Sequence, residues 1–241
     1  MRATLRLALA TPFLFLLFLS LAASAENDRS AQLLVYRVTE PAGEPYISRI
    51  LVTEDFLRMD QGQEDDGFIL LDRKQEVIYS VNGDDRTILQ LDPERGERTL
   101  PPGMQLQARI IKGQEMPTLP GRKTEYWGFY VNGELCRSAV VAPELMPGAV
   151  RAYGEYLELL AFQHYATQAE VPAELQDSCD QAVYIFEPLA VLIKGLPLRE
   201  WGKQGVWELI DYREEFKVSS TGFVLPEDFQ RIPLRERQEG L

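Results

Sequence analysis

Thr124-Glu125-Tyr126-Trp127-Gly128-Phe129-Tyr130-Val131, then Asn132-Gly133-Glu134, then Leu135-Cys136-Arg137-Ser138-Ala139-Val140-Val141: this stretch decides the fold class. Two runs rich in aromatic and β-branched residues flank Asn132-Gly133, a pair that tolerates the positive φ angles of a tight hairpin turn. The stretch reads as two antiparallel strands. Upstream, from Ala31 onward, the chain repeats the pattern of short apolar or alternating runs separated by turn residues. Strands are expected at 32–39, 46–53, 56–60, 67–72, 76–81, 87–91, 105–112, 124–131 and 135–141, an antiparallel meander. A second hairpin signal, Asn82-Gly83, lies between two of them. Runs such as Phe68-Ile69-Leu70-Leu71 are apolar at successive positions, which implies a sheet covered on both faces there.

Downstream of Pro143 the period changes. Val150, Tyr153, Leu157, Leu160, Ala161 and His164 fall in one helical stripe, opposite Arg151, Glu155 and Glu158. The spacing predicts a helix over 147–165, with Pro147 tolerated in its first turn. A second helix is expected over 172–187, with Leu175, Cys179, Ala182, Val183 and Phe186 on one side and Pro188 as its stop. From Val206 to Phe223 the chain is strand-like again, ending in Phe223-Val224-Leu225-Pro226. The charged tail 231–241 is expected to fray. No repeat or linker interrupts 26–241, so one domain is expected.

Residues 1–25 have a basic start (Arg2, Arg6), an apolar stretch from Leu7 to Leu21 and a small-residue end at Ala23-Ser24-Ala25. That is the layout of a secretory signal cleaved before Glu26, and it implies export, to the periplasm in a bacterium. Ser24 stands where a lipoprotein signal would carry its acylated cysteine, so no lipid anchor is expected at that site. No later apolar run reaches the ~20 residues of a spanning helix, and no integral membrane segment is expected after cleavage. Without Arg2 and Arg6, 23 basic residues face 37 acidic ones, a net charge of −14. A polyanion of that strength is a poor binder of nucleic acid or of an anionic membrane surface. With 45% hydrophobic and 26% charged residues, the composition is that of a folded globule.

Cys136 and Cys179 are the two cysteines, and export places them in an oxidising compartment. Pairing closes a loop of 43 positions. The alternatives are a reactive thiol or a metal ligand, but there is no C-x-x-C, and the single histidine cannot complete a familiar zinc set. The chain also lacks G-x-S-x-G, a Walker A loop, G-x-G-x-x-G and H-E-x-x-H. No catalytic residue, metal site or cofactor is therefore expected. His164, on an apolar helical stripe, reads as a hydrogen-bonded core histidine. Two acidic clusters stand out, Asp60–Asp66 and Asp84-Asp85; the first lacks the spacing of a calcium loop and reads as a solvated hairpin tip.

The remaining feature is an aromatic and aliphatic inventory spread over the expected sheet and helix: Ile50, Met59, Phe68, Leu70, Tyr79, Trp127, Phe129, Tyr153, Leu157 and His164. Either these residues form an ordinary core, or they line an apolar cavity between a curved sheet and its helical cover.

The order of motifs resembles that of LolA-like periplasmic proteins. It runs from Tyr46 through Arg58-Met59-Asp60, then Gly67-Phe68-Ile69-Leu70-Leu71-Asp72-Arg73, then Val77-Ile78-Tyr79-Ser80-Val81. Gly195-Leu196-Pro197-Leu198 and Phe223-Val224-Leu225-Pro226 fit the same order. The likeness is to an uncharacterised proteobacterial branch of that group. It implies an α+β fold, mainly antiparallel: an open, curved half-barrel sheet covering two or more helices, with a hydrophobic cavity between. It also implies a non-enzymatic binding protein whose ligand is a lipid or acylated molecule. The alternative is a structural or regulatory envelope protein with a filled core, acting on another envelope protein. The added length, the long helical segment and the cysteine pair depart from the lipoprotein carrier of that group.

Overall fold

A computed structural model describes residues 28–62, 67–113, 117–172 and 175–234. The expected signal, residues 1–25, lies outside them, as do 63–66 of the first acidic cluster and 235–241 of the tail. Within these residues, twelve strands form one open, curved sheet. They are β1 (Asp28–Thr39), β2 (Tyr46–Val52), β3 (Phe56–Asp60), β4 (Phe68–Asp72), β5 (Val77–Asn82), β6 (Thr87–Leu91), β7 (Leu106–Ile110), β8 (Glu125–Val131), β9 (Glu134–Ala142), β10 (Leu196–Gly202), β11 (Gly205–Ser219) and β12 (Gln230–Pro233). Their order is β12-β6-β5-β4-β3-β2-β1-β11-β10-β9-β8-β7. Every pairing is antiparallel except β12 on β6.

The centre of the sheet joins distant parts of the chain: β1 pairs along most of its length with the 15-residue β11. At Asn132-Gly133 both residues take positive φ (52° and 87°), and Val131 pairs with Glu134, as the tight hairpin requires. Asn82-Gly83 behaves differently. There Asn82 pairs with Thr87 across a four-residue turn, the Asn82 side chain accepts from the Asp85 N–H, and Arg86 is the left-handed residue. The asparagine caps the turn rather than forming its centre. Gly205, at φ 113° in the β10–β11 hairpin, admits no side chain, because a Cβ would lie 2.2 Å from the Thr39 carbonyl oxygen.

Helix α1 (Pro147–Thr167) crosses one face of the sheet, close to the predicted span. Leu34, Tyr36, Val38, Ile50, Leu57, Leu71 and Ile78 meet Met146, Ala149, Ala152 and Leu159 in a filled core. The opposite face carries Leu33, Leu51, Leu70, Val77, Tyr79 and Ile88, covered by Phe216, Val218 and Phe223. Leu70 and Leu71 thus serve opposite faces, which is why that run is apolar at every position.

The second helix is shorter than its expected span. α2 (Ser178–Gln181) begins only where the Asp177 carboxylate accepts from the Cys179 and Asp180 N–H groups, and it continues as a π turn over Ala182–Phe186. The Cys136–Cys179 disulfide, with Cα atoms 5.3 Å apart, ties α2 to β9. Phe223 ends a 3-10 turn (Ser220–Phe223) rather than a strand, since the Ser219 hydroxyl accepts from the Thr221 N–H and turns the chain. The start of the tail is ordered, with 230–233 adding a parallel strand to β6. Nor is Asp60 solvated. It is 6% exposed, accepts from Arg49 and Arg58 at 2.7 Å and from the Gly62 N–H at 2.9 Å. Arg58 also donates to the Gly222 carbonyl and lies over the Phe68 ring, which ties the turn after β11 to β3.

Candidate ligand-binding groove

Between α1, the loop after β4 and the 3-10 turn Leu192–Lys194 lies an open groove of about 460 Å³. Its floor is apolar: Leu71, Val150, Gly154, Leu159, Leu189, Leu192 and Ile193. Ile193 is 71% exposed beside it. Gly154 is buried in the middle of α1, where the absent side chain leaves Leu189 and Leu192 as its nearest neighbours across the groove.

The rim is charged, and much of the charge is paired. Arg73 donates from Nε and Nη2 to the Glu155 carboxylate at 2.6 and 3.0 Å, and from Nη1 to the carbonyls of Thr53 and Glu54, both at 2.9 Å. The hydrogen bond to Glu155 raises the Arg73 pKa above its ordinary value. Arg95 pairs with Glu76 at 2.6 Å, and Arg98 with Glu158 at 2.5 Å. The Arg95–Glu76 pair faces solvent and adds little stability, whereas Arg73 and Arg98 are largely buried and their pairs hold the rim geometry.

A second, more enclosed cavity of about 130 Å³ lies on the other flank of α1. Tyr153 and Leu157 of the helix face Trp201 and Trp207 of the β10–β11 hairpin, with Tyr36 and Tyr184 completing the wall. The Tyr36 hydroxyl donates to the Pro197 carbonyl at 3.0 Å. Burial pushes the Tyr36 and Tyr153 phenols well above their ordinary pKa. Arg137 Nη1 donates to Glu200 at 3.1 Å, while the buried Arg137 Nε has no partner.

The ten expected lining residues do not meet in one cavity. Ile50, Met59 and Tyr153 belong to the core under α1, whereas Phe68, Leu70 and Tyr79 belong to the opposite face. Trp127 and Phe129 pack with Ala190 and Val191 at the β8 end. Leu157 and Tyr153 reach the small cavity. His164 is not a core residue. It is exposed on the last turn of α1, its ring 5.9 Å from that of Tyr184, and partial burial lowers its pKa. The groove uses residues the sequence did not mark. Only the apolar run Leu189-Ala190-Val191-Leu192-Ile193 carried a visible signal for it.

Among the described residues no group of three or more His, Cys, Asp or Glu side chains is arranged to hold a metal ion. Among them, too, no helix is long and apolar enough to cross a membrane. No family model and no curated protein matches the chain. Among solved structures it is similar to one of PNGF-II in a P21 crystal form, with a TM-score of 0.38 and 10% identity, over 88% of this chain and 33% of that one. The chain spans about a third of that protein's length. A likeness at that score carries neither fold nor function across.

Proposed function

We propose that the protein is an exported, non-enzymatic envelope protein of the LolA-like kind that holds an acyl chain of a lipid or acylated molecule in the groove beside α1. One observation carries the reading: an open groove of about 460 Å³ with an apolar floor, where Arg73 and Arg95 of the rim are paired with Glu155 and Glu76. The core under α1 is filled by side chains, so the ligand lies along the flank of the helix and not inside the sheet. Each methylene removed from water contributes about 0.8 kcal/mol. Eight of them contribute about 6 kcal/mol before the costs of ordering and association.

The filled core also favours a second reading, in which another envelope protein inserts an apolar side chain or segment into the same groove. A fluorescent fatty acid separates the two. The wild-type protein is expected to bind it saturably. Ile193→Asp, a change at an exposed position, and Gly154→Phe, which fills the floor, are expected to weaken binding at least about tenfold (1.4 kcal/mol). A wild type that does not bind the probe overturns the acyl-chain reading and leaves the protein-partner reading standing.

A further inference from the structure

The free edge of the sheet at β7 lies outside the groove and carries an unused row of main-chain groups. β7 ends the strand order and pairs only with β8. Two bonds fix which of its groups that pairing consumes: the Ile111 N–H donates to the Tyr126 carbonyl, and the Asn132 N–H to the Gln105 carbonyl. In an antiparallel ladder bonded and non-bonded pairs alternate, so Gln107 and Arg109 also turn their N–H and C=O groups to β8. Those of Leu106, Ala108 and Ile110 point away from the sheet, and they meet no partner among the described residues.

Natural edges are usually blunted by proline, by a bulge or by a charge thrown across them. Residues 106–110 hold no proline and pair with β8 without a register shift. The Arg109 guanidinium is turned back over the Tyr130 ring of β8, 5.0 Å from its centroid, and donates to Gln107 Oε1. The opposite edge, β12, is four residues long and ends in Pro233.

We propose that β7 is a docking edge for an extended, acidic segment of a partner protein, which adds to the sheet as a further strand. Charge selects the partner. From Arg98 to Thr124 the chain carries Arg98, Arg109, Lys112, Arg122 and Lys123 against the single acid Glu115, although its 37 acidic residues outnumber its 25 basic ones. Arg98, Arg122 and Lys123 are paired with Glu158, Glu214 and Glu125, whereas Arg109 and Lys112 form no ion pair among the described residues. Against the edge lies an open pocket of about 390 Å³, lined by Leu106, Ala108, Phe186 and Leu189, with Lys194 and Glu187 as its unpaired charges. It offers apolar contact to alternate side chains of an added strand, as this mode of recognition requires. A second copy of this chain is a poor occupant, because edge-to-edge pairing would bring Arg109 and Lys112 of both copies together. An anionic membrane surface would answer the charge but not the row of directed donors and acceptors.

Ala108→Pro tests the edge by itself. The Ala108 N–H is not part of the β7–β8 ladder, so proline, which removes it, is tolerated there. The probe is a labelled peptide of about eight residues alternating valine and glutamate, with a valine–lysine peptide as its counterpart. Anisotropy should show saturable binding of the acidic peptide with a Kd below about 1 mM, and at least about tenfold weaker binding of the basic one. Ala108→Pro, and the surface pair Arg109→Glu with Lys112→Glu, should each weaken binding at least about fivefold while the melting temperature stays as in the wild type. In hydrogen exchange of the wild-type protein, the Leu106, Ala108 and Ile110 amides should gain protection when the acidic peptide binds. Should the proline variant unfold, the charge variant and the exchange decide. No saturable binding, equal binding of both peptides, undiminished binding by a folded Ala108→Pro protein, or unchanged exchange at those three amides overturns the proposal. Binding to phosphatidylglycerol vesicles without peptide binding would assign the basic edge to a membrane instead, and also overturns it. Because the fatty-acid probe reports on the groove, failure of either site is visible without the other.

Discussion

Replacing Gly154 by alanine tests the groove where the helix leaves it open. Glycine in a helix interior is about 0.8–1.0 kcal/mol less favourable than alanine, because it has more backbone freedom to lose on folding. Gly154 lies in the interior of the 21-residue α1, at a buried position. A Cβ built there meets Leu189 Cδ2 at 3.6 Å and Leu192 Cδ1 at 3.8 Å, both ordinary van der Waals separations. The substitution therefore collects the propensity term with no clash, and the new methyl gains a fraction of the ~0.8 kcal/mol of a buried methylene. Gly154→Ala should stabilise the protein by about 1 kcal/mol, raising the melting temperature by about 2–4 °C for a domain of this size. Calorimetry gives the shift, and urea titration checks that the slope is unchanged, as it must be if only stability has moved. A loss of stability would mean that the turn carrying Leu189 and Leu192 packs against the helix more closely than these distances allow. The groove, and the function proposed for it, would then fall.

Two further expectations concern the segment around α2. Reducing the Cys136–Cys179 bridge releases a loop of 43 positions, which the chain-entropy model values at about 4 kcal/mol and measured bridges at about 2–5. Urea unfolding with and without reductant should show a loss in that range, and equal midpoints would refute it. Asp177 caps α2 and accepts from Lys203 at 2.7 Å; that bond and the Asp180 N–H hold its carboxyl below the ordinary aspartate range. A carboxyl depressed in the folded state stabilises it above the unfolded pKa and ceases to do so as pH falls through the folded value. The contribution of Asp177 should therefore be flat above about pH 4 and fade below it. Asp177→Ala should cost about 1 kcal/mol at neutral pH, and Asp177→Asn should retain most of the cap while removing its share of the acid dependence. Denaturation midpoints of the three proteins that run parallel from pH 7 to pH 2.5 would contradict this.

The hairpin around Asn132-Gly133 was legible because the information is local: two residues at positive φ between two apolar runs. The span of α1 was legible for the same reason, with a stripe of apolar side chains over five turns and a proline at its start. The losses are equally physical. Asp60 reads as a solvated acid only while Arg49 and Arg58 are counted as surface charges, and nothing in the chain announces that two guanidinium groups converge on one carboxylate. The parallel strand at 230–233 has no sequence partner to alternate with, since its ladder is formed by β6, more than 140 residues away. His164 obeys the stripe, but the stripe outruns the sheet, so the last turn of α1 projects into solvent. Arg73 and Glu155 are 82 positions apart, and Arg137 and Glu200 are 63 apart. Groove and cavity are thus products of sheet order rather than of motif.

That origin bears on what the groove can select. A site assembled from a motif usually places unpaired polar groups toward its ligand, whereas here Arg73 and Arg95 are each engaged by a glutamate of the same rim, and Arg151 is the exposed cation of the lining. A charged headgroup that took Arg73 as its partner would have to break the bidentate Arg73–Glu155 contact and release the Thr53 and Glu54 carbonyls that Arg73 braces. An acyl chain has no such requirement. It needs only the floor from Val150 to Ile193, and affinity then grows with the number of methylenes covered until the groove ends. The proposed ligand is accordingly selected by chain length, a property of the floor as a whole and not of any one residue.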